Sequence, residues 1–249
     1  MNWEWRLGAL GDPRIRTDIR GPEAADAFIR VPASKYVAGD KREEFVLATD
    51  LWLSRYPITN SQFALFIAEQ GYERRDFWSP EGWEWREENK ITQPDYWRDV
   101  RFNGSNKPVV GVSWYEADAF ARWAKGRPPT EWEWEAAARG QDGFEYPWGN
   151  EWTNRICNSV DAALGATSPV GIFPKSRSQA FGVDDLAGNV WEWCETEGGS
   201  NWVIRGGCSL NAAYDCRSAF RSGLWVIDGF QFVGFRVARG SVQPGAGGN

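Results

Sequence analysis

PVVGVSWYEADAFARWA, residues 108–124, sets a strand signal directly against a helix signal. PVVGV is a short apolar run of the length of a buried strand. Ser113 then stands three residues before Glu116, the spacing of a capping box, and Ala117, Phe120, Ala121 and Ala124 follow at helical period. The spacing predicts a helix over 114–125. Downstream, Thr130-Glu-Trp-Glu133 repeats the box ahead of WEAAAR and predicts a shorter helix. Upstream, 45–56 is rich in strand formers, and TNSQFALFIAEQG from Thr59 places Phe63, Phe66 and Ile67 on one face with Gly71 as its stop. Residues 72–107 read as a loop rich in Trp, Pro and charge, and the chain beyond Gly140 as short strands and turns. Two main helices among short antiparallel strands and long irregular loops make an α+β arrangement. Loops of this length are expected to be functional or tied down. Residues 1–44 read as a lead-in packed on the domain, with strands expected at 28–32 and 35–38, the main domain as 45–239, and 240–249 as a flexible tail.

Composition narrows the function classes. A net charge of −6 with no basic run argues against a nucleic-acid partner. No apolar stretch approaches the roughly 20 residues that cross a bilayer, and residues 1–20 lack a secretory core. A cytoplasmic protein is the default expectation. Four cysteines without a C-x-x-C pair suggest buried thiols. The 249 residues contain no histidine, which removes Ser/His and Cys/His nucleophiles and facial-triad iron. Seventeen tryptophans are a large excess, and each must pack or recognise something.

The ordered segments YPITNSQFALFI, PVVGVSWYEADAFARWA, RPPTEWEWEAAARG, YPWGN, SPVGIFP, FGVDDLAGNVWEW, VIRGGCS, CRSAFR and VGFRVAR resemble the formylglycine-generating, sulfatase-modifying family over about residues 45–239. The resemblance implies a C-type lectin-like fold, in which the indoles of WEWEAAARG and NVWEW are buried and hydrogen-bonded to loop backbone. It also implies a pair of copper-binding cysteines after the GG pair. Here Asn211 holds the first of those positions, and Cys216 matches the second only without a gap. No copper, and no enzymatic activity, is therefore expected. A related branch, the sulfoxide synthases of thiohistidine biosynthesis, binds iron through histidines that this chain lacks. Calcium around GNVWEW would use Asn189 and Glu192 as oxygen ligands, or else the motif is purely structural.

The frame RGG-x8-CRSA-x-R-x12-GFRV is similar to the variable proteins of diversity-generating retroelements, whose segment between such motifs is rewritten at adenine-rich codons. That similarity implies a binding protein with a diversified region at 205–236 and a protein ligand. Its contact residues would be Leu210, Asn211, Tyr214, Asp215, Phe220, Ser222, Gly223, Leu224, Trp225, Val226, Gly229, Phe230 and Phe232. Trp225 and Gln231 cannot be reached from AAC by changing adenines alone, so they are fixed or count against the idea. Three readings compete: an exposed aromatic patch for a ligand, a divergent copper oxidase using Cys208 and Cys216, and a structural partner whose 222–232 stretch is a buried strand pair turning at Asp228-Gly229.

Overall fold

The computed structural model describes residues 12–199 and 201–240, so the expected tail lies almost wholly outside the described residues. Among the described residues nine strands form three sheets. The first joins β1 (Phe28–Val31), β4 (Leu51–Ser54) and β9 (Ala238–Arg239) in the order β1-β4-β9. Residues before 45 therefore share a sheet with the C-terminal strand. The second is the hairpin of β2 (Ser34–Ala38) and β3 (Glu43–Leu47). The third runs β7-β6-β5-β8, from β5 (Trp191–Glu197), β6 (Trp202–Arg205), β7 (Arg221–Leu224) and β8 (Val233–Phe235).

In that third sheet β5 and β8 are parallel, where only antiparallel strands were expected. Parallel neighbours need a long crossover, and residues 206–232 with β7 supply it. The buried strand pair across 222–232 does not form, because β7 and β8 lie at opposite edges of the sheet. The turn there closes between Trp225 and Asp228: the Asp228 N–H donates to the Trp225 carbonyl at 2.9 Å, and Asp228 Oδ2 accepts from the Trp225 N–H at 3.1 Å.

Three helices start where the sequence places them, two behind the predicted capping boxes and one behind a third box, Thr59 with Gln62, that the structure adds. They are α1 (Asn60–Ala68) after Thr59, α3 (Trp114–Trp123) after Ser113 and α4 (Glu131–Arg139) after Thr130, and each box is closed in both directions. A fourth, α2 (Pro80–Asn89), lies inside the stretch read as a loop. It buries only Gly82, so it has no apolar stripe to betray it, and it begins on the Ser79 hydroxyl with Pro at the first turn. Among the described residues no helix is long and apolar enough to cross a membrane.

The main core lies where α1 and α3 meet β8. Phe63 and Phe120 stack at 5.3 Å and Phe235 closes on both edgewise. A second cluster gathers Trp134 of α4 with Leu53, Val183 and Leu186. Of the motif tryptophans, Trp134 and Trp193 are fully buried while Trp132 is exposed. Trp193 donates to the Val112 carbonyl as expected, but Trp134 donates to the Glu192 carboxylate, a side chain.

Candidate functional site

The site grows from Arg205. Its guanidinium is fully buried, donating to Glu135 Oε2 at 2.5 Å and to the Ser218 carbonyl at 2.8 Å. Glu135 also accepts from Arg139, and Glu131 lies 3.5 Å from Arg205, so two carboxylates face the two buried cations. The chain then turns through Gly206 and Gly207 at φ +97° and +72°. A Cβ on Gly206 would stand 3.1 Å from the Leu186 carbonyl and from the Trp134 ring, so only glycine lets the backbone pass.

From there the segment is pinned by its own backbone. The Asn211 carbonyl accepts from the Val160 N–H at 3.0 Å, and the Ser218 N–H donates to the Glu145 carbonyl at 2.8 Å. The carbonyls of Val226, Phe230 and Phe232 accept from Trp114, Gly111 and Trp191 at 3.0, 3.0 and 2.8 Å. The side chains point the other way. Tyr214 is 62% exposed, Trp225 60%, Ile227 53%, Leu210 52% and Phe230 48%. Tyr214 packs edgewise on half-buried Phe220 at 5.3 Å, Phe220 lies 6.0 Å from Trp191, and the Arg217 guanidinium sits 4.2 Å over the Tyr214 ring.

None of the thirteen residues expected to contact a ligand is buried. Leu210, Tyr214, Ser222, Trp225 and Phe230 are exposed, and Asn211, Asp215, Phe220, Gly223, Leu224, Val226, Gly229 and Phe232 are intermediate. Several of these serve the scaffold as well: Leu224 and Val226 pack on the main core, and Ser222 to Leu224 pair with β6. Phe232 packs on Phe102 at 5.7 Å, and Asn211 accepts from the Cys208 N–H at 2.9 Å while donating to Asp215 at 2.9 Å. Ile227 belongs to the exposed set and was missed as a contact residue, although its place in the apolar run Leu224–Ile227 signalled it.

The two metal readings can be set against the geometry. Glu192 accepts from Arg236 on both oxygens and from Trp134, and Asn189 Oδ1 accepts from the Ser168 N–H at 2.9 Å and from Asn158 at 3.1 Å. The two side chains are engaged separately, and Arg236 already supplies the countercharge of Glu192, so they do not fit a shared calcium shell. Cu(I) takes two thiolates brought together. Cys208 instead turns its thiol to Asn211 Oδ1 at 3.0 Å, and burial pushes its pKa up to about 11. The thiol facing Cys216 is that of Cys157, which raises the Cys216 pKa far above the ordinary thiol range, with burial adding to it. Cys208 and Cys216 do not fit a copper pair. Among the described residues no group of three or more His, Cys, Asp or Glu is placed to hold a metal.

Beside this site lies Asp185, non-glycine yet at φ +55°, accepting from the Gly171 N–H at 2.6 Å. Burial first, then Asp184, pushes its pKa up to about 7. A carboxyl whose folded pKa exceeds its unfolded value holds its proton better in the folded state, so it favours folding at low pH and loses that contribution as pH rises towards 7. Asp185→Asn is expected to flatten the fall in urea midpoint between about pH 5 and about pH 8. An unchanged slope would remove Asp185 from the account.

Comparison with known proteins places this geometry. A profile of the Sulfatase-modifying factor enzyme 1-like domain matches residues 17–241. Hercynine oxygenase of Mycolicibacterium thermoresistibile is 31% identical over 78% of this chain, which spans only 52% of that relative's length. The formylglycine-generating enzyme of Thermomonospora curvata is 35% identical over 76% of this chain and 78% of its own. Variable protein 1 of Treponema denticola superposes at a TM-score of 0.63 and 16% identity, over 85% of this chain and 94% of that one, a likeness of fold. The resemblance drawn from the sequence to sulfatase-modifying proteins of C-type lectin-like fold stands, and with the Treponema variable protein the likeness is one of fold. The expectation that the chain is not an enzyme is corrected: the relatives at 31 and 35% identity are both named as enzymes, so catalysis is not excluded here.

Proposed function

The chain belongs to the family of the sulfatase-modifying factor enzyme 1-like domain, and from that membership we propose that residues 210–232 form a diversified ligand-recognition surface, of the retroelement variable-protein kind, that takes a protein ligand. One observation carries the reading: backbone held rigidly to the scaffold by its carbonyls, with Tyr214, Trp225, Ile227 and Phe230 left projecting into solvent. Rigid aromatic side chains give large contact area at low entropic cost, and apolar side chains exposed together mark interaction sites. Its exposed large side chains, Leu210, Tyr214, Trp225, Ile227 and Phe230, are aliphatic or aromatic, which favours a protein over a sugar. Binding on it is compatible with a reaction elsewhere in the domain.

Sequencing the gene across closely related isolates tests this proposal. Changes are expected to concentrate at adenine-derived codons within 210–232, with residues 28–205 constant. A segment as constant as the core would refute diversification. A second prediction separates recognition from folding. Tyr214→Ser, Trp225→Ser and Phe230→Ser should each change folding free energy by no more than about 0.5 kcal/mol, as substitutions outside a packed core do. A loss of over about 1.5 kcal/mol at these positions in urea titrations would make the patch part of the core instead.

A further inference from the structure

Cys157 lies in the loop after YPWGN and Cys216 at the end of the turn that follows the GG pair, 59 positions apart in the chain. Both are buried in one cluster with Ala187, and Trp148, Trp152 and Ile156 pack around it. Two glycines leave room for the sulfurs. A Cβ on Gly188 would lie 3.3 Å from Cys157 Sγ, and one on Gly207 would lie 3.0 Å from Cys216 Sγ. Gly188 and the glycine pair are themselves joined, the Gly188 N–H donating to the Gly206 carbonyl at 2.8 Å. Cys157 and Cys216 are the two cysteines of this buried cluster, and the nearby Cys157 thiol holds the Cys216 pKa far above the ordinary thiol range. Cys194 is buried in a different cluster, and Cys208 is committed to Asn211. The approach of Cys157 to Cys216 is thus selective among four cysteines, and no part of the ligand-recognition reading uses it.

We infer that Cys157 and Cys216 are a cross-linking site, at which a disulfide fastens the base of the 208–232 segment to the loop that carries Cys157. The reaction needs an oxidant, and a small-molecule disulfide such as oxidised glutathione balances it. One cysteine thiolate attacks a glutathione sulfur and expels one glutathione as thiolate, giving a mixed disulfide. The second cysteine, giving up its proton, attacks the protein sulfur of that bond and expels the second glutathione. Two protein thiols are oxidised by two electrons, and one glutathione disulfide becomes two thiols. The packed cluster shields both sulfurs once folding is complete, so the bond is made as the chain folds.

The test is to refold the full chain in a mixture of reduced and oxidised glutathione, alkylate the remaining thiols and map the peptides by mass spectrometry. The expected product carries two alkylated cysteines, Cys194 and Cys208, and a peptide pair joining 157 to 216 that is two hydrogens lighter than its separate halves. Its melting temperature should exceed that of the dithiothreitol-treated protein by about 5 °C or more, since the bond closes a long loop. Cys157→Ala should refold, lose the cross-link and lose the response of melting temperature to dithiothreitol. Four alkylated thiols in the refolded wild type, or a cross-link through Cys208 or Cys194, would overturn the inference. Should Cys157→Ala fail to refold, the wild-type peptide map decides alone.

Discussion

Replacing Arg236 with Met will lower folding free energy by about 3–5 kcal/mol, the range for leaving one member of a buried ion pair without its partner. Arg236 and Glu192 are 0% and 1% exposed in their side chains. The guanidinium donates to Glu192 Oε1 at 2.6 Å and Oε2 at 2.5 Å, to the Ser54 carbonyl at 3.0 Å and to the Asp184 carbonyl at 3.2 Å. Trp134 donates to the same carboxylate at 2.7 Å. One arginine from the GFR motif thus ties β5, α4 and the end of β4 together, and Met would fill its volume while leaving Glu192 charged in a dry site. The double variant Arg236→Met, Glu192→Gln should recover part of the loss, because the orphaned charge goes with it. Urea unfolding measures both. A single-variant loss under about 1 kcal/mol would show that water reaches Glu192 in solution.

Phe63→Ala should cost a comparable amount, about 3–5 kcal/mol, through the cavity it leaves. Phe63 is fully buried and its ring meets Phe66 at 5.4 Å, Trp97 at 6.0 Å, Phe120 at 5.3 Å and Phe235 at 6.3 Å. It therefore joins α1, α3 and β8, and no one of those elements can close over the gap without moving the other two. Phe63→Leu keeps most of the volume and should cost less than about 1.5 kcal/mol. Equal losses for Leu and Ala would mean that ring geometry, and not filled volume, decides the stability of this core.

The parts of the fold legible in sequence were those with local signals. Each capping box is a contract between residues three apart, so Ser113 and Thr130 announced their helices, while the helix after Thr59 was announced by its apolar face of Phe63, Phe66 and Ile67. Helix α2 was missed because 80–89 is polar on nearly every face and only its Ser-Pro start is diagnostic. The aromatic surface was visible as an excess of apolar residues in 224–232, but its exposure follows from sheet order, which sequence spacing does not encode. GNVWEW was intact and left open between a calcium site and a structural motif, because the Arg236 that faces Glu192 comes 44 positions later. The meeting of Cys157 with Cys216 is equally non-local. No spacing marks it, and the two loops are brought together by the backbone around Gly188 and Gly206 and by the Val160–Asn211 hydrogen bond.

The first sheet has a consequence for synthesis. Its edge strand β1 begins at residue 28 and its opposite edge, β9, ends at residue 239. A ribosome delivers β9 long after β1 and β4, so β4 must wait for its second neighbour. Contacts so distant along the chain form slowly, and for that interval the aromatic stretch is displayed beside an unfinished core, where exposed apolar surface promotes aggregation. Chaperone demand is therefore expected to be greatest after residues 210–232 have emerged and before β9 has closed the first sheet.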